Sequence, residues 1–143
     1  MQSVKSLIQD VETIKDAPEQ IRELKQDLLA VSNVLQALEV GTEESSLEHL
    51  SAEAKRALAT ALDNCKGACN KFQAKLKRWT RHSTNDNTHW WDRVRVGLFA
   101  EREIEMLRKQ LEQCKATTNT AIGTMNLYVV SDIVLLAWSL SLK

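Results

Sequence analysis

Three cysteines, Cys65, Cys69 and Cys114, carry the most reactive side chains in the sequence. Thiolates bind metals, exchange disulfides and attack electrophiles. Cys65 and Cys69 lie four apart, so a helix would place both on one face. A metal centre needs further ligands, and His49, His82 and His89 show no ligand spacing relative to the cysteines. Met1 is followed by Gln2, Ser3 and Val4, with no apolar run leading to a cleavage site. An odd cysteine count without a signal points to reduced thiols and a cytoplasmic location. The expectation is three core cysteines, no metal and no cofactor.

The second chemistry on offer is ionic. Formal net charge is zero, with 19 basic and 19 acidic side chains. Residues 1–72 hold 12 acidic and 8 basic groups, and residues 73–143 hold 7 acidic and 11 basic, so the halves stand at −4 and +4. Between Asn64 and Asn85 there are Lys66, Lys71, Lys75, Lys77, Arg78 and Arg81 and no acid. Arg93 and Arg95 follow, and Trp79, Trp90 and Trp91 lie among them. Such a cluster suits anionic lipid head groups, with Trp at the interface. We expect Lys71, Lys75, Lys77, Arg78, Arg81, Trp90, Arg93 and Arg95 to form that contact. A nucleic-acid partner is not expected, because the patch is short and no nucleic-acid motif accompanies it. No Gly-rich phosphate loop, His-Glu-x-x-His or nucleophile elbow is present, so the chain reads as a non-enzyme.

The elements that must position these groups are helices. One Pro and four Gly in 143 residues are too few turn-formers for many short strands. Val4, Leu7, Ile8, Val11 and Ile14 fall at helical spacing from the first residues. A helix that starts without a cap leads us to expect sequence upstream. Asp16 and Glu19 offer a capping box, with Pro18 in the first turn. Ile21, Leu24, Leu28, Val31, Leu35 and Leu38 then alternate steps of three and four, a heptad seam for a bundle core or for an oligomer. Gly41 is placed as a C-cap, and Ser45 with Glu48 offers the next capping box.

A third pattern runs through Leu47, Leu50, Leu58, Leu62, Cys65, Cys69, Phe72, Leu76 and Trp79, with a break expected near Ser51 or Gly67. His82 to His89 reads as a loop. A fourth helix should start near Trp90, with Trp91, Val94, Leu98, Ile104, Leu107, Leu111 and Cys114 on its apolar stripe. If it runs antiparallel to the third, the basic residues converge at one end of the bundle.

Ala121 to Leu142 is different in character, since Asp132 is its one charged residue. At 22 residues it is long enough to span a bilayer core. Ten of these residues are Leu, Ile or Val, worth roughly 3–6 kcal/mol in insertion, against ~2.5–3.5 kcal/mol for Asp132 near the middle. The polar Asn, Ser and Thr take the sum close to zero. Constitutive spanning is therefore not expected, and the segment reads as a helix, or a helix plus extension, packed into the core, with conditional membrane contact as the alternative.

Several stretches together resemble a known family. They are Val11 to Leu24, Leu35 to Leu38, Cys65 to Leu76, and above all Trp91-Asp92-Arg93-Val94-Arg95-Val96-Gly97 continued by Ile104 to Glu112. The chain resembles the HeLo-like domain, the fungal N-terminal domain of STAND proteins, over most of residues 4–125. That family is similar to the HeLo domain of the HET-S incompatibility protein and to the four-helix bundle of the necroptosis executioner pseudokinase. The resemblance implies a cell-death effector or signalling domain of fungal innate immunity or heterokaryon incompatibility. It would be a homo-oligomer when active, moving from cytoplasm to plasma membrane and permeabilising it, often under amyloid signalling. The implied partners are anionic lipids and a STAND or NLR receptor. We expect this domain to lack the apolar N-terminal segment usual in the family. The alternative is a protein-interaction adaptor of a STAND-type receptor with no membrane activity. The expected architecture is an all-α antiparallel bundle of four to five helices, a single domain over residues 1–143.

Overall fold

Val4, Leu7, Ile8 and Val11 bury together along one side of α1, Gln2–Glu12. The structure, a computed structural model, describes residues 2–14, 17–41, 48–81 and 94–142. Eleven residues are too few for a helix to hold alone in water. Packing of the four apolar side chains stabilises α1, together with Gln73 of the third helix, whose Nε2 donates to Ser6 Oγ at 2.8 Å and to Asp10 Oδ2 at 2.7 Å. Thr13 Oγ1 donates to the Asp10 carbonyl at 2.7 Å and closes the C-terminal turn.

Helix α2 spans Glu19–Gly41. The Pro18 carbonyl accepts from the Ile21 and Arg22 amides at 3.0 and 3.1 Å, so Pro18 stands at the N-cap, where its missing N–H is no loss. The expected Asp16 cap lies outside the described residues. Helix α3 spans Ala52–Arg81. It begins at Ser51, later than the apolar pattern from Leu47 implied. Ser51 Oγ accepts from the Ala54 amide at 3.1 Å, an N-cap bond that the turn at Glu48–Leu50 leads into. Ser45 and Leu47 lie outside the described residues. Gly67 does not break the helix, and no atom lies within 4 Å of where its Cβ would be.

Helix α4, Val94–Ser141, is the largest departure from expectation. Its 48 residues make one continuous helix about 72 Å long, against about 45 Å for α3 and 35 Å for α2. The segment from Ala121 is part of it and not a separate packed helix. These four helices, with no strand, make up the regular structure among the described residues.

Helix α4 packs on both α2 and α3, and α1 packs on the same two. Gln20 meets Glu101, Asp27 meets Arg108, and Leu38 clusters with Ala121 and Met125, so α2 and α4 run parallel side by side. Lys75 meets Glu103, and Leu58 clusters with Ala121 and Met125, so α3 runs antiparallel to α4. The main core joins α1, the α2 seam, Cys65 to Leu76 of α3 and Ala100 to Cys114 of α4. A smaller core of Leu38, Leu50, Leu58, Ala121 and Met125 closes the far end.

Two outcomes follow from these contacts. Gln73→Ala should lower hydrogen-exchange protection across residues 2–12 by roughly 1–2 kcal/mol while leaving α2 to α4 nearly unchanged, because it removes both hydrogen bonds of α1 to α3 and leaves only the exposed Glu12–Lys25 pair to α2. Gly67→Ala should raise the stability of the whole chain by about 0.5–1 kcal/mol in urea unfolding, since the added methyl meets nothing.

Candidate functional site

The molecule has two unlike ends. The C-terminal turns of α3 and the start of α4 share one of them. Lys71, Lys77 and Arg78 are exposed there. Lys75 is not free for lipid, because its Nζ lies 2.7 Å from Glu103 Oε1 on α4. Arg81 and Arg95 sit in the last turn of α3 and the first turn of α4. Trp90, Trp91 and Arg93 lie outside the described residues. Trp79 is half-buried against the core, edge-on to Phe72 with ring centroids 5.9 Å apart, so it is a packing residue.

The heptad seam of α2 is fully committed. Ile21, Leu24, Leu28, Val31, Leu35 and Leu38 are all buried inside the chain, which leaves none of them for a partner. Its flank carries an ionic contact between helices. Arg108 of α4 reaches back to α2, with Nε 2.6 Å from Asp27 Oδ2 and Nη1 2.9 Å from Glu23 Oε2. The hydrogen bond with Asp27, joined by the charge of Glu23, holds the guanidinium still more firmly protonated. At 40% side-chain exposure this fork is worth no more than about 1 kcal/mol. The signal for it was present: Glu23 and Asp27 are four apart beside the seam, an acidic pair that calls for a cation on the facing helix.

The opposite end is apolar. From Asn126 to Leu142 every residue whose side chain is described is exposed. Leu127, Val130, Ile133, Val134, Leu135, Leu136, Trp138, Leu140 and Leu142 are each more than half exposed. This overturns the expectation that the segment packs into the core. The reason is length: α2 and α3 end near Met125, and the remaining 17 residues of α4 run on past them by about 25 Å. Within α4 an 18-residue window reaches a mean hydropathy of 1.5 and is 12% buried, long and apolar enough to cross a membrane. From Glu103, which marks the basic end, to Met125 is 22 residues, or about 33 Å of helix. The basic end and the apolar end are therefore opposite poles, which the sequence did not reveal.

Residues 1–135 match the family described as pigment biosynthesis cluster protein PigL N-terminal. The chain belongs to that family. The PigL N-terminal match takes in the whole bundle and the projecting part of α4 as far as Leu135. No curated protein and no solved structure matches the chain.

Between the poles of this PigL N-terminal domain the three thiols meet. Cys65 and Cys69 on α3 and Cys114 on α4 are free and buried. No group of three or more His, Cys, Asp or Glu side chains among the described residues is placed to hold a metal ion. The hydrogen bond with Cys65 and then burial push Cys114 well above the usual thiol range. At Cys65 the bond with Cys114 pulls down, but the bond with Cys69 and burial outweigh it, and its pKa is pushed up to about 12. Cys69 moves the other way, because the bond with Cys65 favours its thiolate more than burial opposes it. One turn beyond Cys114, Thr118 is fully buried, and its hydroxyl has no hydrogen-bond partner among the described residues.

A pH dependence follows. The unfolded chain releases its thiol protons near pH 8.5. The folded chain keeps that of Cys65 up to about 12. Between these values the unfolded state binds fewer protons, so stability present below pH 8.5 is lost as pH rises. The urea midpoint should fall from pH 9 to pH 11, and Cys65→Ala should flatten that fall by up to about 1.4 kcal/mol per pH unit. In the native state at pH 8, Cys65 and Cys114 should resist a disulfide reagent that labels them in denaturant.

Proposed function

We propose that this PigL N-terminal domain is a membrane-acting helical bundle of the HeLo-like type, a non-enzymatic effector or signalling domain that works by oligomerisation and membrane targeting or permeabilisation. The observation that carries the reading is the projecting third of α4. A helix apolar around most of its surface suits the interior of a bilayer better than water or an interface. The seventeen residues that project fall at the short end of what crosses a hydrocarbon core. The resemblance to the HeLo-like family supplies the biological setting: cell death in fungal innate immunity, with a cytoplasmic protein moving to the plasma membrane. The exposed Lys71, Lys77 and Arg78 at the other pole would favour encounter with anionic lipid before α4 inserts.

A second reading is the receptor adaptor. It is favoured by the separation of the poles, which leaves the basic one open to an acidic protein surface, such as that of a STAND-type receptor.

Vesicles containing phosphatidylserine separate the two. The chain should float with them and release a trapped dye. Val134→Lys and Leu136→Lys should each weaken binding about 100-fold and stop leakage. Both positions are exposed, so thermal unfolding of the bundle should not change. Absence of binding and leakage at every salt concentration, at pH 5 as well as at pH 7.5, would remove the membrane reading and leave the adaptor.

A further inference from the structure

The buried residues of α4 are Ala100, Ile104, Leu107, Leu111, Cys114, Thr118, Ala121 and Met125, alternating steps of four and three. The same register continues through the projecting third of α4 at Tyr128, Asp132, Leu135, Ser139 and Leu142. The polarity of the helix inverts at Met125. Before it the seam is almost wholly apolar, and charged residues such as Glu101, Arg102, Glu105, Lys109 and Glu112 lie off it. After it the positions off the seam hold no charge, and the one carboxylate sits on the seam at Asp132, close to the midpoint of the projecting 17 residues.

No described element packs against residues 126–142, so no charged group of α1, α2 or α3 faces Asp132. Along its own helix the nearest cation toward the bundle is Lys115, 17 residues or about 25 Å away. In the sequence Lys143 is the next charge on the other side, eleven residues on. Tyr128, four residues before, is the one other titratable residue of this stretch, and Asp132 is the one carboxylate between Lys115 and Lys143.

We propose that Asp132 is a proton-operated gate on insertion of α4. Ionised, the carboxylate holds the projecting helix in water, because an anion at the bilayer centre opposes nearly all that the flanking Leu, Ile and Val favour. Taking one proton from solution neutralises it without altering any contact of the bundle. Transfer toward lipid itself raises the carboxyl pKa through desolvation, so the switch works above the pH at which an exposed aspartate titrates. The proposal rests on the membrane reading of α4 and adds its regulation.

Partition into zwitterionic phosphatidylcholine vesicles tests it, since these carry no net charge to attract a protein made more cationic by acid. The full chain should bind about 100-fold more tightly at pH 5 than at pH 7.5. Asp132→Asn should bind at pH 7.5 far more tightly than the native chain and lose most of the pH dependence. The residue is exposed, so helicity should be the same for both proteins. If the native chain binds equally at both pH values, or if Asp132→Asn keeps the full pH dependence, the gate is wrong while the membrane reading stands. If neither protein binds these vesicles at any pH, the gate is wrong, and the membrane reading is decided by the phosphatidylserine vesicles alone.

Discussion

The structure depends on the apolar seam of α4. Ala100, Ile104, Leu107, Leu111, Cys114, Ala121 and Met125 fill the space between α2 and α3, which lie on either side of α4 and meet it more extensively than any other partner. Helix α1 is an addition to that three-helix frame, resting where α2 and α3 leave apolar surface near the basic pole. The polar flanks repeat the arrangement at lower energy, with Arg108 reaching α2 and Glu103 reaching α3 from the two sides of the seam. A heptad pattern of this kind fixes register as well as affinity. It therefore also fixes which residues of α4 emerge from the bundle and at what height.

Most of the architecture was legible in the sequence, and the reasons are physical. The α2 seam from Ile21 to Leu38 is faultless in its spacing, and all six residues are core. The cysteines read as buried thiols and are. The end of α4 was not legible. Its expected stripe stopped at Cys114, because Thr118 interrupts the apolar series, yet Thr118 is buried at the next seam position. An orphaned hydroxyl there costs about 1–3 kcal/mol, which a composition pattern takes for a solvent-facing residue. Beyond Met125 the apolar content is as high as in a core, and hydrophobicity alone does not distinguish a helix with neighbours from one that has outrun them. Only the lengths of α2 and α3 decide that.

The basic cluster was legible as composition and less so as a site. Lys75 already has an acidic partner one helix away, and Trp79 is engaged with Phe72. A run of cations without a nearby acid in sequence meets its acids across the helix interface, where Glu103 arrives from more than twenty residues later. The PigL N-terminal assignment places the bundle in a family, and the match runs over the basic pole, the thiol cluster and the apolar projection as far as Leu135.

The continuity of α4 also makes it a rigid spacer. With its apolar third in a bilayer, the unbroken helix holds Glu103 and Lys75 about 33 Å above the point where the chain leaves the bundle. The screening length of physiological salt is about 8 Å, so four such lengths separate the cations of the basic pole from the head groups. In that posture Lys71, Lys77 and Arg78 exert almost no pull on the membrane. On the membrane reading proposed above, the helix that would carry the chain to lipid would also lift its positive charge out of the membrane's field, where it is electrically visible only to what approaches from solution.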